Sequence, residues 1–84
     1  MVKKNIVLLT GATGTVGREV LKQLLDKNKY KIVVFSLDRK RNRRFYAKIN
    51  RVITVYYGSL ENIEDLKKIT EKIDFIIHLA AIIP

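Results

Sequence analysis

Residues 5–9, Asn-Ile-Val-Leu-Leu, run straight into TGATGTVG at positions 10–17. An apolar stretch of strand length with no polar face suits the centre of a parallel sheet covered by helices on both sides. From Thr15 the hydrophobic period changes. Val16, Val20, Leu21, Leu24 and Leu25 recur at helical spacing, with Arg18, Glu19, Lys22, Gln23 and Asp26 on the other face. Gly11, Gly14 and Gly17 therefore lie between a buried strand and the mouth of an amphipathic helix. In such a turn Gly11 permits the reversal, Gly14 lets a phosphate approach the backbone, and Gly17 lets helix and strand pack closely. Unpaired N–H groups at the helix start then face the anion. A Walker-type loop is excluded, because Gly17 is followed by Arg18 and Glu19. The competing reading is a tight turn without a ligand.

The alternation continues. Residues 31–37 (KIVVFSL) and 52–57 (VITVYY) read as strands, the second closed by Gly58 and Ser59. Between them residues 44–49 can form a short helix with Phe45 and Ile49 on one face. A third helix is expected over about 61–72, with Ile63, Leu66, Ile69 and Ile73 facing the core. Its acids come early and its lysines late, which complements the helix dipole. Residues 75–79 (FIIHL) read as a fourth strand. The order β-α-β-α-β-α-β predicts a doubly wound α/β layer around a parallel sheet.

Eighty-four residues allow one small domain, and 48% hydrophobic content fits a chain that buries a core. Cysteine is absent and histidine occurs once, which excludes disulfides, thiolate chemistry and clustered imidazole metal sites. No apolar run approaches the ~20 residues of a membrane span, and no secretory signal leads the chain, so a cytoplasmic location is expected. The net charge of +9 is concentrated: residues 38–51 hold seven bases and one acid. Such a cluster binds phosphorylated ligands or nucleic acid, or is a solvated loop. Nucleic acid is the weaker choice, because Phe45 and Tyr46 alone interleave with the bases and no recognition-helix pattern appears.

TGATGTVG resembles the T-G-x-x-G-x-x-G signature of the extended short-chain dehydrogenases/reductases, the epimerase/dehydratase type. Gly58-Ser59-Leu60 stands where that family has Gly-Asp-Leu, and DFIIHLAA at 74–81 resembles its D-x-V-x-H-x-A-A strand. VFSLDR at 34–39 is similar to the F-S-R-D segment of nucleotide-sugar 4,6-dehydratases of polysaccharide biosynthesis. The resemblance implies the N-terminal half of a Rossmann fold over residues 1–84, a partial three-layer α/β/α unit with strand order 3-2-1-4. It also implies a nicotinamide dinucleotide as cofactor. Gly11, Thr13, Gly14, Thr15 and Val16 would cradle the pyrophosphate and Ser59 and Leu60 would flank the adenine. Leu79, Ala80 and Ala81 would line the ribose and nicotinamide side. Ser59 brings no charge to the adenine, and a helix N-cap is its alternative role.

Cofactor choice turns on the end of the second strand. Asp38 lies at the usual distance for an acid that holds the adenosine ribose of NAD. If the strand ends at Phe35 or Ser36, however, Ser36 takes the acid's place with Arg39 and Arg41 beside it. A hydroxyl and guanidiniums favour the 2′-phosphate of NADP. The family's catalytic Tyr-x-x-x-Lys pair is absent: Val34, Asn50, Leu60 and Glu61 stand four positions after the tyrosines. His78, flanked by Ile77 and Leu79, reads as a buried or half-buried histidine bonded to backbone rather than a catalyst. No catalytic residue and no metal ligand is assigned, and the chain by itself is expected to bind without catalysing. A nucleotide-sugar substrate belongs to a longer parent chain. The ending on AAIIP after a core strand reads as a truncation, with an open edge strand that favours self-association or a homo-oligomer. The alternative function is a non-catalytic sensor of NAD(P) or a degenerate remnant.

Overall fold

The computed structural model describes residues 4–12 and 14–79. Among them the elements are β1 (Asn5–Thr10), α1 (Thr15–Lys27), β2 (Tyr30–Ser36), α2 (Lys40–Ala47), β3 (Thr54–Tyr57), α3 (Ile63–Leu66) and β4 (Phe75–His78). The four strands form one parallel sheet in the expected order β3-β2-β1-β4. Leu9 sits level with Val34 and Ile77, and Leu8 with Val33 and Ile76. Alternate residues of the inner strands thus serve opposite faces. Leu9, Ile32 and Val34 pack with Leu21 of α1 and Tyr46 of α2. Leu8, Val33 and Phe35 pack on the other side with Leu66, Ile69 and Ile73. Both faces being covered is why β1 and β2 read as unbroken apolar runs. The fold is a partial doubly wound Rossmann unit.

The helix boundaries depart from the sequence expectation. α2 begins four residues earlier than expected, although its first turn holds no acid and its N-cap, Arg39, makes no side-chain capping bond. Burial explains the difference. Asn42 and Tyr46, one turn apart, both point inward, and Asn42 Nδ2 donates to the Leu37 carbonyl at 2.9 Å. Asp38, just ahead of the N-cap, brings a carboxylate to the positive end. Val52 is taken up by the turn after α2, its N–H donating to Ile49, so β3 starts at Thr54.

The third helix is much shorter than expected: four residues instead of about twelve. Its bonds tighten to the i−3 carbonyl at Lys68 and Ile69 and the helix stops there. Ile63, expected in the core, is 65% exposed. Leu66, Ile69 and Ile73 still reach the sheet, so their spacing carries the burial pattern without a continuous helix. Glu71 is drawn to the sheet instead, accepting from the Tyr56 hydroxyl at 2.7 Å.

β4 is one of the two edge strands, and its pairing with β1 is fixed at the start by Asp74. The Ile6 N–H donates to the Asp74 carboxylate at 2.7 Å, and the Asp74 N–H donates to the Ile6 carbonyl at 2.9 Å. Phe75 and Ile76 nevertheless remain more than half exposed.

Tyr46 is the largest fully buried side chain, and its hydroxyl closes no hydrogen bond. Burial pushes the phenol from 10.0 up to about 12, opposed in part by the nearby Ser36 hydroxyl. Tyr46→Phe removes a desolvated hydroxyl and should raise stability by up to about 1 kcal/mol in urea unfolding. Linkage adds a second signature. Below pH 10 the phenol is protonated folded and unfolded; above it the unfolded chain ionises first, so the wild type should lose stability between pH 10 and about 12. The Phe variant should lack that component.

Candidate functional site

The site is built where β1 meets α1. Gly11 turns the chain out of the strand with φ +73, a conformation that side chains disfavour, and a Cβ there would collide with the Leu79 carbonyl. Ala12 follows, 1% exposed. A Cβ on Gly17 would strike the Gly11 carbonyl and Ala12, so the first turn of α1 is seated directly on the loop. Gly14 differs from both. It is the helix N-cap in ordinary extended geometry, and an added Cβ would meet only the Gly11 carbonyl, at 4.0 Å. Packing demands two of the three glycines; the space over Gly14 is open.

The start of α1 is electropositive. Its first turn contains no acid and its N-cap, Gly14, has no side chain to cap it, and the leading N–H groups at Thr15 and Val16 lack partners within the helix. Both residues are exposed. An open cavity of about 580 Å³ lies here, lined by Gly14, Thr15, Arg18, Glu19, Lys22 and, from α2, Arg41. A slightly larger hollow, about 650 Å³, sits at the opposite end of the sheet among Ile6, Leu24, Leu25, Asn28 and Val52. It lacks the helix start and the glycine turn.

The neighbouring strand ends complete the rim. Ser36 closes β2, 8% exposed, and its hydroxyl donates to the Leu37 carbonyl at 3.3 Å. Asp38 projects beyond the strand, where Arg43 forks it through Nε at 2.5 Å and Nη2 at 3.0 Å. That pairing holds the Asp38 carboxyl below the usual range. The Arg43 guanidinium also lies over the Tyr57 ring, 4.3 Å from its centre. Arg39 is exposed at the N-cap of α2.

At the end of β3, Ser59 is not a helix N-cap. The helix begins later, and Asn62 caps it by accepting from the Glu64 N–H at 3.0 Å. The Ser59 hydroxyl accepts from the Glu61 N–H, while its own N–H donates to Asp65 at 2.9 Å. That bond, with Lys68 next, lowers the Asp65 pKa. Leu60 is 47% exposed.

Leu79 donates its N–H to the Thr10 carbonyl at 3.0 Å and packs against the core. His78 departs from expectation: it is exposed, and its Nδ1 meets the Thr10 hydroxyl at 2.5 Å rather than backbone. The side chain sits at the strand's carboxyl end, where the sheet no longer covers it. Thr13, Ala80 and Ala81 lie outside the described residues.

Residues 7–84 match the NAD dependent epimerase/dehydratase family. The chain belongs to it. It is 36% identical over 81 residues to an inverting UDP-N-acetylglucosamine 4,6-dehydratase of Campylobacter jejuni, covering 94% of this chain and 24% of that protein. It is 30% identical over 81 residues to an uncharacterized membrane protein of Methanocaldococcus jannaschii, covering 95% and 24%. Among solved structures, the thiolation-reductase di-domain of an archaeal non-ribosomal peptide synthetase superposes with TM-score 0.78 at 26% identity, covering 99% of this chain and 26% of that one. Pen from Bacillus thuringiensis superposes with TM-score 0.75 at 29% identity, covering 95% and 26%. The chain thus spans about a quarter of the length of the relatives it matches. No helix among the described residues is long and apolar enough to cross a membrane.

This epimerase/dehydratase-family chain also uses residues that sequence reading passed over. Asn42, Arg43, Tyr57 and Asp65 shape the rim; Arg43 is one of seven clustered bases, and nothing in the sequence singles it out. Gly11→Ala should be severe, combining a positive φ with a backbone collision. Urea unfolding should show a loss of at least about 2 kcal/mol, or no folded state.

Proposed function

We propose that residues 1–84 form the nicotinamide-dinucleotide-binding half-domain of a nucleotide-sugar epimerase/dehydratase-type oxidoreductase. The observation that carries this reading is Gly14, a glycine with free space above it beside an uncapped, acid-free helix start. Family membership supplies the cofactor class. The unpaired N–H groups of the first helical turn would take the pyrophosphate, with Gly14 leaving room for its oxygens. Leu60 would flank the adenine and Leu79 the nicotinamide side. When bound, the nicotinamide accepts and returns a hydride. This chain's own part is to hold and orient it. The sugar and the proton-transferring residues belong to a longer parent chain, as the likeness to a nucleotide-sugar dehydratase supports.

The finer assignment is NADP. β2 ends at Ser36, two residues before Asp38, and Arg41 shares its cavity with Gly14 and Thr15. A guanidinium placed there suits a ribose 2′-phosphate. Among the described residues β4 has no strand on its outer side and exposes Phe75 and Ile76, which supports self-association as well. Light scattering after size exclusion should give a mass above 9.7 kDa, and a single monomeric peak would overturn it.

Calorimetric titration at physiological salt should show NADP⁺ binding more tightly than NAD⁺, and both more tightly than inorganic pyrophosphate. Gly14→Ala should change stability by less than about 1 kcal/mol yet weaken dinucleotide binding at least tenfold. Arg41→Gln should weaken NADP⁺ selectively. A folded wild type that binds neither dinucleotide sinks the reading.

A further inference from the structure

Asp38 stands close to the dinucleotide rim, yet both of its oxygens are engaged. Oδ1 and Oδ2 accept from Nε and Nη2 of Arg43, and the same guanidinium is stacked on Tyr57. The loop that carries the acid is itself pinned. The Leu37 carbonyl accepts from buried Asn42 at 2.9 Å and from the Arg39 N–H at 3.0 Å. Arg43 follows Asn42 on α2, so the anchor that fixes the acid's loop also fixes the base that captures it. A planar fork against a carboxylate, backed by a ring, is a pre-organised pair rather than a chance surface contact.

We propose that Arg43 sets cofactor choice in this chain by capturing Asp38, so that the one carboxylate at the end of β2 is withdrawn from a ribose diol. A ribose presents hydroxyl donors that an unpaired carboxylate accepts, whereas a ribose 2′-phosphate is repelled by one. Neutralising Asp38 removes the attraction for the first ligand and the repulsion for the second. Arg39 and Arg41 then remain as the charges that a phosphorylated ribose meets. This inference rests on the dinucleotide-binding reading above. It adds a residue, Arg43, that does not itself have to touch the cofactor.

Both side chains are a little over half exposed, 57% and 56%, so releasing the pair should shift affinity about fivefold rather than by orders of magnitude. The test is titration of NAD⁺ and NADP⁺ into the folded wild type, Asp38→Asn, Arg43→Gln and the double variant. Arg43→Gln should gain about fivefold for NAD⁺ and lose a similar factor for NADP⁺. Asp38→Asn should leave NAD⁺ affinity within about twofold, because the captured acid is not in use, and the double variant should lack the NAD⁺ gain. The proposal is overturned if Asp38→Asn alone weakens NAD⁺ about fivefold or more, or if Arg43→Gln leaves the NAD⁺/NADP⁺ ratio unchanged. Asp38→Asn keeps the size of the side chain ahead of α2, so a loss of about fivefold in NAD⁺ affinity in that variant overturns the proposal even if the Arg43 variant unfolds. Failure of the wild type to bind either dinucleotide overturns the binding reading and this inference with it.

Discussion

The contact on which the rest depends is the seating of α1 on its own preceding loop. Gly17 lies against the Gly11 carbonyl and Ala12 with no room for a Cβ. Gly11 is in turn pressed against the carbonyl of Leu79, a residue whose own N–H donates to the Thr10 carbonyl. Strand 1, the loop, the helix start and the end of strand 4 are therefore one packed unit. Moving any of them by the width of a methyl group disturbs the others, since interiors of this density have no slack. The direction of the α1 dipole follows from that packing. It points its positive end at the opening above Gly14, because Gly14 is the N-cap of α1.

A second unit is built from rings and guanidiniums. Arg18 of α1 lies over Phe45, Phe45 meets Tyr46 edge-on, Tyr46 meets Tyr57 of β3, and Arg43 covers Tyr57. Each contact is worth on the order of 1 kcal/mol or less. Together they place a short helix, poor in apolar residues, across the ends of β2 and β3. This arrangement makes an ordered rim of a run of bases for which a solvated loop is one of the readings the sequence leaves open. One of its cations, Arg43, is tied to a ring, and Arg41 lines the same cavity as Gly14 and Thr15.

Most of the fold was legible because it rests on local rules. Two continuous apolar strands, a change of period at Thr15 and glycines at fixed offsets define β1, α1 and β2, and their neighbours follow from alternation. What escaped was decided by tertiary contacts. α3 stops after Leu66 although residues 61–72 keep a helical period, because burial of Ile69 and Ile73 can be met by an irregular path. α2 starts early because Asn42 bonds to Leu37, a contact no propensity encodes. At the site, the glycines were readable and the partnering of Asp38 was not. The ion pair depends on where a turn of helix places Arg43, and the sequence displays seven bases without saying which one is near.

Strand order has a consequence for how this chain comes off the ribosome. β1 is made first but sits between β2 and β4, and the clamp from Asp74 to Ile6 spans 68 positions. β2 and β3 can dock soon after they emerge, since each lies beside a strand already made. The other flank of β1 stays unpaired until residues 74–78 have been synthesised. Through that interval its amides and carbonyls are open to any extended segment nearby. The closing event is a long-loop contact, slow relative to the local pairings that precede it. A nascent-chain complex stalled before residue 74 accordingly carries an unpaired β1 flank that chaperone cover would protect.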